Sequence, residues 1–172
     1  HFVEFFQTVN RLLKDNGVAL LHSIGRMEPP GITSPFIHKY IFPGGYIPAL
    51  SEVVAAVEQT SLWVTDVEVL RIHYANTLEA WRQRFAGHWQ EACVLYDETF
   101  CRMWEFYLAS SEFSFRYDTS MVFQMQLGKG VKAVPLTRDY MFQEEQVFGR
   151  EEEPTVAIPC PASGTTGDGP GR

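Results

Sequence analysis

The sequence is poor in cysteine, short of basic residues and without any long apolar run. Three cysteines in 172 residues do not make a disulfide framework. Cys93 and Cys101 read as two buried thiols on one predicted helix, and Cys160 as an incidental thiol in a polar tail, all in a reducing compartment. None of the five histidines pairs with a cysteine or another histidine at ligand spacing, so no metal site is expected. No uninterrupted apolar stretch approaches the ~20 residues that a bilayer span needs. Lysine and arginine number 14 against 21 acids, for a net charge of −7, and no basic cluster offers a footprint for nucleic acid. The opening HFVEFF has neither an initiator Met nor a charged-then-apolar signal layout, and reads as a point within a domain. No G-x-G-x-x-G pattern occurs in the sequence.

What is present is an apolar, aromatic chain: 45% hydrophobic residues, 14% of the total being Phe, Trp or Tyr. That is enough to bury one core. The organising stretch is GVALLHSIG (17–25), an apolar run too short for a helix, predicted as a strand over Val18–Ile24 buried on both faces. An amphipathic helix over Phe2–Asp15 precedes it, stopped by Asn16-Gly17 with glycine in the left-handed conformation. RMEPPGITSP (26–35) is a loop. Ser51 is predicted to cap a helix running to about Gln59, and Leu62–Leu70 alternates as a half-exposed strand with Trp63, Thr65, Val67 and Val69 on one side. Two aromatic stripes follow, Tyr74/Leu78/Trp81/Phe85 and Tyr96/Phe100/Met103/Trp104/Tyr107, predicting a helical hairpin broken near Gly87-His88. Met121–Leu127 alternates as a last strand.

This order implies an α/β protein: the C-terminal half of a doubly wound sheet, with parallel crossovers, a helical insertion before the last strand and a late strand pair. Residues 1–140 form the domain. Residues 141–172 hold six acids, two arginines and a Gly/Pro-rich end, and are expected to be disordered.

Several residues invite chemistry, each with a plain structural alternative. His22, at a strand end, is either a satisfied core residue or a ring nitrogen aimed into a pocket above the sheet. Ile24 matters only through a backbone carbonyl free to accept a hydrogen bond. Tyr74 is a core aromatic, or a phenol at the start of its helix that reaches past the core. The segment FIHKYIFPGGY (36–46) is either a hydrophobic plug or a lid and pocket wall, in which Phe36, Lys39, Tyr40, Phe42, Gly44 and Tyr46 would line the substrate.

The motifs LLHSIG (20–25), FIHKYIFPGGYIP (36–48), IHYANTLEAWRQRF (72–85) and VPLTRDY (134–140) occur in that order. Together they resemble the C-terminal part of the cyclopropane-fatty-acyl-phospholipid synthases, the S-adenosyl-L-methionine-dependent mycolic-acid-type methyltransferase group. The likeness covers nearly all of residues 1–140. It implies half of a Rossmann-like class I methyltransferase fold, with the cofactor-binding half upstream of this chain. It also implies transfer of a methylene group to the cis double bond of membrane phospholipid acyl chains. The same likeness implies that His22, the Ile24 carbonyl and Tyr74 help hold a bicarbonate ion that acts as the base. A donor histidine, a donor phenol and an accepting carbonyl suit that anion and its hydroxyl.

The family's glycine-rich loop and ribose-binding acid have no counterpart in these residues, so the chain is expected to be inactive alone. Peripheral contact with the inner face of the membrane, in the cytoplasm, follows from the resemblance. Two rivals stand beside this reading. One is a lipid methyltransferase that adds a plain methyl or methoxy group. The other is a non-catalytic module whose aromatic stripes bind an apolar ligand or a second copy of the chain as a homodimer.

Overall fold

The computed structural model describes residues 1–151, which fall in two compact units, His1–Val134 and the residues from Pro135 onward. The first unit carries a three-stranded sheet. Strand β1 (Val18–Arg26) and strand β2 (Trp63–Leu70) flank β3 (Ser120–Gly128), and both pair with it antiparallel. β1 and β2 therefore run the same way without touching. The parallel crossover expected from the sequence exists in direction only, because the last strand inserts between the two.

The pleat sorts the side chains. Met121, Phe123, Met125 and Leu127 of β3 point to one face, where α1 (Phe2–Leu12) supplies Phe6 and α2 (Leu50–Val57) supplies Val53, Ala56 and Val57. Ala19 and Leu21 of β1 join that core. The even-numbered residues point the other way. There Val122, Ile24 and Leu70 meet α3 (Arg71–Gly87) and α5 (Glu98–Tyr117) through Ala75, Leu78, Leu108 and Phe115. Full burial of a Leu such as Leu78 or Leu108 contributes about 1.5–3 kcal/mol, so this second cluster holds the hairpin on the sheet.

Strand β1 is not buried on both faces. Burial alternates along it, and Leu20 is 63% exposed. Helices cover one side of the strand throughout, but the hairpin covers the other side only at the Ile24 end. The helix stop also differs: Asn16 takes the positive φ (56°), while Gly17 is required by crowding, since a Cβ there would lie 2.8 Å from the Lys14 carbonyl oxygen. Helix α2 starts at Leu50 rather than after Ser51. Ala49 occupies the cap, and Glu52 reaches back to the Ala49 N–H at 2.8 Å. In β2 a bulge at Thr65 breaks the predicted alternation, because Val64 and Asp66 pair with the consecutive residues Leu127 and Gln126. Val67 and Val69 thus stand opposite Met125 and Phe123, with Trp63 out of phase.

The hairpin of α3 and α5 is interrupted by a short helix, α4 (Trp89–Leu95). Asp97 caps α5 by accepting the Phe100 N–H at 2.6 Å. Cys93 and Cys101 consequently lie on two helices, not one. In the second unit the described residues include α6 (Asp139–Glu151), opened by Asp139 and carrying Gln143, Glu144, Glu145 and Gln146 in its middle, where the sequence reading expects no regular element beyond about residue 142. The rest of the acidic, Gly/Pro-rich tail, with Cys160, lies outside the described residues.

Candidate functional site

The open face of the sheet carries a polar row. Cross-strand register sets His22 of β1 opposite Gln124 of β3, and Gln124 opposite Glu68 of β2. One pleat further along, the same face turns apolar with Ile24, Val122 and Leu70 in a row under the hairpin. The candidate site is this boundary between a polar row and an aromatic wall.

His22 sits on the polar side, exposed, with Nδ1 3.2 Å from Nε2 of Gln124. It is not a buried core residue. Ile24, two residues on, shares its face and packs against the apolar cluster. The edge to which the Ile24 carbonyl points follows from the backbone. The Arg26 N–H donates to the Pro48 carbonyl, whereas the Met27 N–H turns to Thr119 and the Gly17 carbonyl accepts from Lys129, both beside β3. Odd residues of β1 therefore bond β3, and Val18, Leu20, His22, Ile24 and Arg26 present their N–H and C=O to the outer edge. At that edge the Ile24 carbonyl accepts the Ser23 hydroxyl at 2.8 Å and keeps a second lone pair.

Tyr74 enters from the first turn of α3, directly after β2. Its ring meets Phe115 of α5 at 4.9 Å and Trp81 at 6.1 Å, and it packs against the same cluster as Ile24. Among the described residues its hydroxyl has no hydrogen-bond partner. Tyr107 packs against the same cluster, and burial, and after it the neighbouring Tyr74, pushes its phenol above its ordinary range. Ile24 and Tyr74 thus pack against one apolar cluster, and His22 lies one pleat away from Ile24 on the same face.

The segment 36–46 divides. A π-helical turn spans Ile37–Ile41, closed by the Phe42 N–H to the Ile37 carbonyl at 2.8 Å. Phe36 packs edge-on against Phe106 of α5 at 5.0 Å and tilts against Tyr40, while Lys39 lies over the Tyr40 ring. Phe42 meets Tyr107 at 6.1 Å. These residues extend the aromatic wall. Gly44 takes φ +77° in the turn that follows, a conformation that favours glycine. Tyr46 leaves the group: its hydroxyl donates to the Glu52 carboxylate, which raises its own phenol, and its ring approaches Phe2 of α1.

A charged clamp holds the wall's two helices together. Arg82 Nε donates to Glu112 Oε2 at 3.0 Å, and Arg116 Nε donates to Oε1 at 2.9 Å. Arg116 Nη2 also reaches Glu79 Oε2 at 2.6 Å. Both oxygens of the buried carboxylate are thereby satisfied. Among the described residues no group of His, Cys, Asp and Glu could hold a metal ion.

Residues 1–125 match the family model described as "Mycolic acid cyclopropane synthetase". The chain belongs to that family. The tuberculostearic acid methyltransferase UfaA1 of Mycobacterium tuberculosis is 38% identical over 129 residues, covering 72% of this chain and 30% of that protein. The cyclopropane-fatty-acyl-phospholipid synthase of Escherichia coli K12 is 34% identical over 128 residues, covering 74% and 33%. The solved mycolic acid cyclopropane synthase CmaA1, complexed with SAH and CTAB, superposes with a TM-score of 0.68 at 30% identity, covering 74% of this chain and 50% of that one. The chain thus spans about a third of the curated relatives it matches, and it has the methyltransferase fold of the cyclopropane synthases for the part it covers.

The sulfonium cofactor of this family finds no seat in these residues. β1 runs into Met27-Glu28-Pro29-Pro30, and the glycine turn after β3, Gly128-Lys129-Gly130, leads into an irregular stretch rather than straight into a helix. Gln124 and Phe115 escaped the sequence reading. Only strand register could have supplied the first, since it is 102 residues from His22.

Proposed function

We propose that this chain is the acyl-facing, base-holding part of an S-adenosyl-L-methionine-dependent enzyme that closes a cyclopropane ring on the cis double bond of phospholipid acyl chains. The observation that supports it is the meeting of Ile24 and Tyr74 on one apolar cluster, directly beside the His22–Gln124 row. A basic anion and an apolar chain need opposite surroundings, and here the two surroundings share a border.

Bicarbonate, when bound, supplies a base for the proton lost as the ring closes. His22 would hold it through Nε2–H, because Nδ1 faces Gln124. Tyr74 would donate its free hydroxyl, and the Ile24 carbonyl would accept the ion's own O–H. The rings of Tyr74, Trp81, Phe115 and Tyr107 would line the acyl chain, keep water from an electron-poor carbon and stabilise positive charge with their faces. Phe36, Tyr40 and Phe42 continue that lining, with Lys39 at its polar edge. Contact with the membrane surface belongs to this same aromatic side. Alone, the chain is expected to be inactive, because it offers no seat for the cofactor.

A plain methylation is the second reading, favoured by the relative named as a tuberculostearic acid methyltransferase. One experiment separates them. The enzyme that contains this chain is incubated with methyl-labelled S-adenosyl-L-methionine and vesicles of a cis-monounsaturated phospholipid. A labelled acyl chain that gains CH2 and resists mild hydrogenation supports the ring. A gain of CH2 that takes up hydrogen means a methyl-branched alkene, and an unlabelled lipid overturns both readings.

A further inference from the structure

We propose that Gln124 is a positioning residue that fixes His22 in the tautomer whose Nε2 carries the proton. The inference rests on the proposed role of His22 as a donor to the anion, and adds to it the group that makes His22 a donor.

The argument is one of donors and acceptors. Gln124 Nε2 lies 3.2 Å from His22 Nδ1. With the amide turned as it is here, its nitrogen faces Nδ1 and only donates, so Nδ1 presents its lone pair and the single proton of the neutral ring sits on Nε2. Strand pairing holds the contact: His22 and Gln124 are direct partners across β1 and β3, and β3 is the central strand. Gln124 is half-buried, flanked on its own strand by the fully buried Phe123 and Met125. Its backbone cannot move without the core. A second histidine gives the opposite case within the same chain. His88 Nδ1 lies 2.8 Å from the Arg84 carbonyl oxygen, which only accepts, so His88 must carry its proton on Nδ1. The fold thus sets two exposed rings in contrary tautomers through partners of contrary kind.

The consequence is directional. With Nδ1 occupied by the amide, the Nε2–H is left for a negatively charged or lone-pair-bearing ligand. The other tautomer would meet an oxyanion with a lone pair and weaken its binding. In this arrangement Gln124 acts through His22, the side chain that its amide meets.

The test reads the imidazole nitrogens directly, by long-range 1H–15N correlation on the full chain, about two units above the ordinary imidazole pKa of ~6.5. His22 is expected in the Nε2–H pattern and His88 in the Nδ1–H pattern. Gln124→Glu places an acceptor at Nδ1 and should invert the His22 pattern to match His88, leaving His88 unchanged. Gln124→Leu should move His22 to the mixed pattern of a ring without a partner. The unchanged His88 signature reports that each variant is folded. A wild-type His22 in the Nδ1–H pattern overturns the proposal, as does a His22 pattern indifferent to Gln124→Glu. Bicarbonate is titrated separately into the enzyme that contains this chain. A His22 that obeys Gln124 but ignores bicarbonate overturns the anion reading alone. A His22 that answers bicarbonate yet keeps its tautomer in both variants overturns the positioning role alone.

Discussion

Gly25 leaves room for one ring. A Cβ at that position would lie 2.8 Å from Phe123 Cε1, 2.9 Å from Cδ1 and 3.2 Å from the Pro48 carbonyl oxygen. Phe123 is fully buried at the centre of the sheet and cannot swing away. Gly25→Ala is therefore expected to cost roughly 1–3 kcal/mol, the range for overpacking a filled core. It should also displace the end of β1, where Ile24 presents its carbonyl. Thermal unfolding checks the first part. Adding Phe123→Leu should recover part of the loss, and an additive double variant would mean that the two residues do not press on each other.

The charged clamp makes a prediction in pH. Burial pushes the Glu112 carboxyl upward, but hydrogen bonds from Arg116 and Arg82, with their charges, outweigh it and hold the group below its ordinary 4.5. A carboxyl whose folded value is depressed adds stability above the unfolded value, and that stability is lost as pH falls through the folded one. Glu112→Gln should thus lower stability at neutral pH by about 1–2 kcal/mol, discounted because Arg82 is partly exposed. The gap between wild type and variant should close as pH falls below about 4.5. Urea titrations at neutral and acid pH measure the gap, and one that stays constant with pH would remove Glu112 as the linked group.

The two cysteines should differ in reactivity although their sulfurs lie 3.3 Å apart. Cys101 is fully buried and Cys93 partly exposed. Burial, then the contact with Cys93, pushes the Cys101 thiol up to about 11. At about pH 8, iodoacetamide should modify Cys93 first and leave Cys101 roughly two orders of magnitude slower, until the chain is unfolded. Peptide mass spectrometry against time gives the two rates. Equal rates in the folded chain would mean that α4 opens readily from α5.

Much of this architecture was legible in the residues because it is local. The stripes at Tyr74/Leu78/Trp81/Phe85 and Trp104/Tyr107 fix a helical hairpin by spacing alone, and Met121–Leu127 alternates as a strand must. What escaped was long-range or one residue wide. Nothing in the sequence says that β3 enters between β1 and β2, and without that register Gln124 has no reason to be paired with His22. The Asp97 cap divides the two cysteines between helices, and the Thr65 bulge turns Trp63 out of phase; each is a single-residue event that periodicity averages away. Strand β1 looked doubly buried because its apolar run was complete, yet the surface that would cover Leu20 is not among the described residues. At the site, residue types pointed to Tyr74 and His22, but only the fold distinguishes their surroundings: Tyr74 in an aromatic wall, His22 in the polar row beside it.

Tyr74 separates a structural role from a chemical one more sharply than any other residue here. Its ring is held by Phe115 and Trp81, contacts that Phe would keep. Its hydroxyl bonds to no group among the described residues, so removing it leaves no buried partner stranded. Tyr74→Phe should therefore unfold within about 0.5 kcal/mol of the wild type. In the enzyme that contains this chain, the same variant should turn over at least ~10-fold more slowly, the equivalent of one charge-assisted hydrogen bond of about 1.4 kcal/mol. If the lost bond is one to bicarbonate, added bicarbonate should restore part of the rate by mass action, whereas chloride at equal ionic strength should not. A variant that turns over normally would place the phenol outside the chemistry. One that loses several kcal/mol of stability would make Tyr74 a core residue after all, and the anion would then have to be held by His22 and the Ile24 carbonyl without it.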